Sequence, residues 1–260
     1  MDRTLVMKFG GAAVANAEQF GRIARIILER AKEYRRIAVV VSAMGRTTDE
    51  LLELARSVHP QPPRREQDML ISVGERVSVA LLAMALDRLG KEAISFTGSQ
   101  SGVITTAEHT EARIVDVRPR RLLKPLEEGK IVLVAGFQGV SVDGEITTLG
   151  RGGSDTSAVA IALALGAERV EFYKDVPGIC ERDPKLDPEA QVLKEIVYEK
   201  AIELAKGGAK VLHLRALLLA QKNGLELRVL PFADPEAHGT RILGARTAVP
   251  VYELEVCHAT

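Results

Sequence analysis

Apolar positions along this chain follow two rhythms. Short, mainly apolar stretches at residues 5–9, 37–41 and 131–135, with 170–173 and 225–230 beside them, have the length of strands, and the β-branched run at 37–41 suits a strand covered on both faces. Between them, apolar residues recur every three or four positions, the helical period. Phe20, Ile23, Ala24, Ile27, Ala31 and Tyr34 define one such helix, with Asn16 and Gln19 spaced as a capping box at its start. A short helix passes through Leu51, Leu52 and Ala55. Beyond a proline-rich surface break at 59–65, the spacing of Leu70, Ile71, Val77, Leu81 and Leu82 predicts one helix from about 66 to 89. Gly74 falls inside it, where glycine costs about 1 kcal/mol against alanine. Close approach of a ligand or of backbone is one reason for a glycine there. Residues 93–96 read as a strand, Asp143-Gly144 as a turn in a hairpin, and 107–129 as mixed. Helices are expected at 198–205 and 209–221, and a last strand at 249–256.

Strands alternating with amphipathic helices predict an α/β chain: a three-layer sandwich with a largely parallel central sheet. Such sheets bind ligands outside the carboxyl ends of their strands. Polar and glycine residues follow the strands repeatedly here: Gly10-Gly11, then Ser42 with Gly45 and Thr47, Thr97-Gly98-Ser99, Gly136-Phe137 and Asp175.

The densest candidate chemistry lies at 148–157. Gly150, Arg151, Gly152 and Gly153 precede an apolar helical run, so backbone N–H groups and a helix N-terminus can face a phosphate. Ser154 or Asp155 would cap that helix. Lys8, beside Gly10-Gly11, either neutralises a phosphoryl group or ends a strand in water. Arg151 is a two-bond grip for a carboxylate or phosphate, or one half of a salt bridge. Glu75 and Arg76 form an ion-paired helix surface, or Glu75 receives a substrate ammonium group. Thr47 hydrogen-bonds a substrate oxygen or holds its loop. Asp175 and Asp183 shape a turn, or meet nucleotide hydroxyls or Mg2+ waters. Lys210 is a second phosphate partner or a solvated helix charge. The strict P-loop and dinucleotide fingerprints are absent, which disfavours a P-loop ATPase and a Rossmann dehydrogenase. The five histidines are scattered and form no metal-ligand spacing or Ser-His-Asp pattern.

Composition narrows the partners. Lys plus Arg and Asp plus Glu both number 35, so nothing asks for nucleic acid or an anionic membrane. Trp is absent, which removes the best stacking surface for single-stranded nucleic acid. Cys180 and Cys257 make no disulfide framework, the apolar stretches carry charge or are too short to span a bilayer, and the N-terminus runs straight into a strand. A cytoplasmic protein is expected.

Taken in order, several blocks resemble the catalytic domain of the aspartokinases, within the amino-acid kinase family. They are residues 6–11 (VMKFGG), 40–45 (VVSAMG), 72–76 (SVGER), 150–155 (GRGGSD), 175–179 (DVPGI), 210–213 (KVLH), and 235–237 with Gly239-Thr240. The resemblance covers about residues 4–245. It implies a carbamate kinase-like fold with an open eight-stranded sheet, an acceptor-binding lobe at about 1–145 and a nucleotide-binding lobe at about 146–260. It implies ATP and Mg2+, an amino-acid acceptor phosphorylated on a carboxylate, and a homodimer.

Carried over by position, Lys8 stabilises the moving phosphoryl group. Gly10, Gly11, Ser42, Gly152 and Gly153 line its path. Thr47, Glu75 and Arg151 hold aspartate, with Phe137, Ser154 and Asp155 completing that region. Lys174, Asp175, Asp183, Lys185 and Lys210 lie near the nucleotide; no direct protein ligand to the metal is assigned.

The chain departs from the family pattern in places. Ala12-Ala13 stands where Thr-Ser is usual, Lys174 replaces a threonine, Cys180 an aromatic, Lys185 an arginine and Leu214 a proline. It ends about where paired ACT-type regulatory domains usually begin, so feedback through such domains is not expected. Two other readings stand beside aspartate phosphorylation: a kinase of another amino acid, small carboxylate, carbamate or phosphate, and a non-catalytic nucleotide-binding sensor or partner subunit.

Overall fold

The computed structural model describes residues 3–182, 187, 189–244 and 249–253. The first half of the chain runs β1 (Thr4–Phe9), α1 (Ala17–Arg30), β2 (Arg36–Val41), α2 (Thr47–Val58), α3 (Arg64–Ile71), α4 (Val73–Asp87), β3 (Ala93–Phe96), β4 (Val103–Thr105), β5 (Ile114–Val117), α5 (Arg120–Glu127) and β6 (Ile131–Ala135). The hairpin β7 (Gln138–Ser141) and β8 (Ile146–Thr148) leads into α6 (Gly153–Ala164) and β9 (Arg169–Lys174). The chain continues through β10 (Glu195–Val197), α7 (Tyr198–Lys206), α8 (Leu214–Asn223), β11 (Glu226–Pro231) and β12 (Thr240–Leu243).

Eight strands form the central sheet in the order β10-β12-β11-β9-β1-β2-β6-β3, parallel except where β11 meets β12. Period-two alternation sorts their side chains between two cores. Leu5, Met7, Phe9, Val39, Val41 and Leu133 pack with Ile23 and Ile27 of α1 and Leu82 and Leu86 of α4. Val6, Val40, Val134 and Phe172 pack on the other face with Val159 of α6, Leu217 of α8 and Leu122 of α5. This is the α/β sandwich expected from the alternation. β4, β5, β7 and β8 make a second, smaller sheet in the order β5-β4-β7-β8.

The strand order reverses beside β1. The chain moves from β1 to β2 on one side and comes back to β9 on the other. Such a switch point opens a crevice at the carboxyl ends of the strands.

Local expectations hold in part. Asn16 caps α1 by accepting the Glu18 and Gln19 N–H groups. The helix expected at 66–89 is broken at Ser72 into α3 and α4, an interruption that Gln138 supports by donating to the Ser72 carbonyl at 2.7 Å. Gly74 has a packing reason: a Cβ there would stand 2.7 Å from the Ala43 Cβ. The helix expected at 209–221 begins only at Leu214, with His213 as its N-cap. No side chain caps α6, contrary to the roles expected of Ser154 and Asp155; Gly152, at φ 76°, is the N-cap. Residues 249–253 form no strand, and the remainder of the expected tail strand lies outside the described residues. The short strands β4, β10 and β12 carry too few residues for periodicity to register.

By length and composition alone, the stretch Arg64–Asp87 could cross a membrane, although the sequence suggested no such segment. It reaches that length only by counting α3 and α4 together across the break at Ser72, and the Val79, Leu82 and Leu86 face of α4 is core.

Candidate active site

Alternation along β1 sends Lys8 to the face covered by α6, and its register pairs it with Phe172 of β9. Two residues on, Lys174 shares that face at the end of β9. The first turn of α6 brings Asp155 against both. Lys8 Nζ lies 2.5 Å from Asp155 Oδ1, and Lys174 Nζ lies 3.0 Å from Oδ2. Lys8 is only 4% exposed and Asp155 6%. Burial opposes both charges, and the pairing answers it unevenly. Burial takes the Lys8 ammonium down to about 8 although Asp155 pulls it back up. Burial works against the Asp155 charge too, yet Lys8 and Lys174 hold its carboxyl well below the ordinary range.

The loops after β1 and β2 are joined by the Gly45 N–H, which donates to the Gly11 carbonyl at 3.2 Å. Ser42 donates its N–H to the Phe9 carbonyl at 3.1 Å. A Cβ on Gly11 would lie 3.1 Å from the Ala43 carbonyl, so the two turns approach closely. The Lys8 ammonium reaches over Gly10, 3.5 Å from where a Cβ there would stand. Ala13, one of the two alanines that depart from the family pattern, is buried in the α1-side core, and Ala12 is exposed.

Glu75 enters from the first turn of α4 and is 2% exposed. Its Oε1 accepts the Ala43 N–H at 3.1 Å, while its buried Oε2 has no hydrogen-bond partner among the described residues. Burial pushes its carboxyl up to about 7 against the pull of its backbone hydrogen bonds and Lys8. Thr47 opens α2, and its methyl lies 3.6 Å from where a Gly74 Cβ would be, so it borders the Glu75 turn.

The glycine-rich loop forms the opposite wall. Gly150 and Gly152 have φ of 70° and 76°, values that favour glycine. A Cβ on Gly152 would lie 2.0 Å from His213 Cγ, and one on Gly153 3.0 Å from the Phe137 ring. Phe137 itself has φ 67°, a strained conformation for a non-glycine residue, held by its N–H to Ser157 Oγ at 3.1 Å and by the Leu149 N–H on its carbonyl at 2.9 Å. Arg151 is exposed and has no ion pair among the described residues. Ser154 is half-buried on the first turn of α6.

These contacts run in a chain through Lys8, Gly10, Gly11, Thr47, Glu75, Asp155 and Lys174, with Ser42, Phe137, Gly152, Gly153 and Ser154 on the adjoining loops and Arg151 exposed between Gly150 and Gly152. Asp175 and Lys210 are exposed and take no part in these contacts. Asp183 and Lys185 lie outside the described residues. His213, Arg215 and Asp68 were not expected as site-building residues. Arg215 donates to the Leu149 carbonyl and, at 2.9 Å, to the Ala112 carbonyl, bracing the start of the glycine loop. His213 stands in the 210–213 block, the one signal that could have marked it; Asp68 and Arg215 carry no local signal.

Comparison with known proteins agrees with this geometry. The family model for the amino acid kinase family matches residues 3–231. An aspartokinase of Mycolicibacterium smegmatis is 51% identical over 248 residues, which are 95% of this chain and 59% of that protein. A crystal structure of aspartate kinase from Synechocystis superimposes with a TM-score of 0.83 at 45% identity, covering 94% of this chain and 40% of that one. That of E. coli aspartokinase III in complex with aspartate and ADP gives 0.85 at 29% identity, covering 95% and 66%. The chain thus spans about 59% of the length of the aspartokinase it matches at 51% identity. With its switch-point crevice, its eight-stranded sheet and the match over residues 3–231, the chain belongs to the amino acid kinase family.

Proposed function

We propose that this chain transfers the γ-phosphoryl group of ATP to the side-chain carboxylate of L-aspartate, giving 4-phospho-L-aspartate. The observation that carries the reading is the buried, unpartnered Glu75 Oε2, in a crevice whose other pole is the Lys8–Asp155–Lys174 cluster. An orphaned buried carboxylate oxygen calls for a donor, and an α-ammonium group supplies one with matching charge. The relatives add support: E. coli aspartokinase III has been crystallised with aspartate and ADP.

Glu75 takes the acceptor's ammonium group and Arg151 its α-carboxylate, with Thr47, Phe137 and Ser154 closing around it. This reading divides the chain into an acceptor lobe at about 1–145 and a nucleotide lobe beyond it. The acceptor oxygen attacks the γ-phosphorus in line, the bond to the ADP oxygen breaks, and ADP leaves. The attacking carboxylate is ionised near neutral pH and needs no general base. Positioning and charge do the work. Lys8 faces the moving phosphoryl group, and Asp155 holds the two lysines in place. Gly10, Gly11, Ser42, Gly152 and Gly153 let backbone N–H groups approach the phosphates. Lys174, Asp175 and Lys210 border the nucleotide.

Mg2+ would enter with the nucleotide and neutralise its phosphate oxygens. Held chiefly by phosphate oxygens and waters, as Mg2+ is at nucleotide sites, the ion would need no dedicated protein cage. A cytoplasmic homodimer completes the reading.

The test is an ADP-release assay with Mg-ATP and a panel of acidic amino acids, with hydroxylamine trapping any acyl phosphate. Aspartate-dependent hydroxamate is the expected result. Nucleotide binding with no turnover of any acceptor would leave a sensor as the better reading.

A further inference from the structure

Asp68 is fully buried on α3, one turn before the break at Ser72. No lysine or arginine pairs with it among the described residues. Its Oδ1 accepts the Thr148 hydroxyl at 2.5 Å, its Oδ2 faces His109 Nδ1 at 2.8 Å, and the Thr110 N–H is shared between both oxygens at 3.2 and 3.0 Å. A buried carboxyl group held by a hydroxyl, an imidazole and a backbone N–H makes strict geometric demands, because each lost donor leaves a polar atom unanswered in a dry site.

Two of the three donors border the glycine loop. Thr148 ends β8, two residues before Gly150. Thr110 has φ 72°, and its carbonyl lies 2.9 Å from where a Cβ on Gly150 would stand. On the other side, the Ser72 N–H donates to the Asp68 carbonyl at 3.1 Å, and Gln138 of β7 holds the Ser72 carbonyl. Three residues past Ser72 comes Glu75. One carboxylate therefore joins the loop carrying Arg151 to the helix break that aims Glu75.

We propose that Asp68 is a positioning residue: it sets the spacing between Arg151 and Glu75, and so the fit of an acceptor carrying one anionic and one cationic end. This rests on the functional reading above, which places the acceptor between those two residues. Asp68 touches neither nucleotide nor acceptor in this account, so its loss acts on acceptor binding.

The test compares the wild-type chain with T148V, T148S and D68N by hydroxamate formation, varying aspartate and ATP separately. T148V removes one hydrogen bond at nearly constant volume. It is expected to raise the KM for aspartate about tenfold, the equivalent of one hydrogen bond to a charged group, with kcat and the KM for ATP within about twofold. T148S keeps the hydroxyl and is expected to restore the wild-type KM. D68N is expected to show the same split, enlarged. Equal aspartate KM in wild type and T148V overturns the positioning role alone. So does a parallel loss of kcat and both affinities with a lowered melting temperature, which marks a purely structural bond. No hydroxamate from the wild-type chain overturns the functional reading, and this inference with it.

Discussion

Two buried carboxylates lie on opposite faces of the same sheet, and their surroundings differ in kind. Glu171, in the middle of β9, faces α1 and is fully satisfied. Its Oε1 accepts Arg169 Nε and Nη2 at 3.0 and 2.8 Å, and its Oε2 accepts Arg30 Nε and the Tyr173 hydroxyl, both at 2.9 Å. Around it Arg3, Arg30 and Arg169 meet Glu33, Glu168 and Glu171, three charges against three. Asp155, on the α6 face, holds two lysines alone, and the nearby Glu75 keeps one oxygen unpartnered. The first cluster is closed and neutral, as a brace between α1 and the sheet should be. In the second, two lysines share one aspartate and Glu75 keeps an unmet acceptor, at the open ends of the strands.

The contrast can be broken by substitution. Glu171→Ala removes the buried carboxylate shared by Arg30 and Arg169, leaving them only the more exposed Glu33 and Glu168, and is expected to cost about 3 kcal/mol of stability, read from the urea midpoint, with kcat/KM of the folded fraction near wild type. Lys8→Ala is expected to lower transfer by about a hundred- to a thousandfold, the scale for losing one preorganised charge-stabilising donor, while nucleotide binding changes far less. Turnover equal to wild type would remove Lys8 from its role. Glu75→Gln is expected to raise the aspartate KM by roughly tenfold or more through loss of the charged partner, with the KM for ATP unchanged.

Acidity sharpens the comparison further. In the free enzyme kcat/KM should rise as Glu75 ionises near about 7 and fall as Lys8 loses its proton near about 8, a narrow bell whose acid limb disappears in Glu75→Gln. Stability runs the opposite way. Folded Glu75 binds its proton more tightly than the unfolded group, so the folded state loses stability as pH rises from 4.5 to about 7, and Glu75→Gln should remove that slope. The smallest effect is expected from Lys174→Thr. The charge of Lys174 helps to depress Lys8, so its removal should move the alkaline limb to higher pH. A limb that stays in place would separate the two lysines electrostatically.

Much of the fold was legible from the chain alone. The strand runs at 5–9, 37–41 and 131–135 carry side chains buried on both faces, so continuous apolar character announced them. The glycine loop was equally legible, since positive φ at Gly150 and Gly152 needs glycine. The break at Ser72 was not, because it depends on Gln138, 66 residues away, reaching a freed carbonyl. Lys174 stood out only as a departure from the family pattern; that it shares Asp155 with Lys8 follows from strand register. Asp68 and Arg215 carry no local signal because their partners come from distant loops.

What the sequence determined by itself was local: which segments form strands and helices, where the backbone must turn tightly, and which charged residues sit beside those turns. Period and steric freedom are properties of neighbouring residues, and they survive in a one-dimensional reading. The tertiary structure decided which charges are buried together, which carboxylate oxygens are answered and which is left open. Those outcomes depend on dielectric and distance, and both exist only once the parallel strands have set their loops side by side.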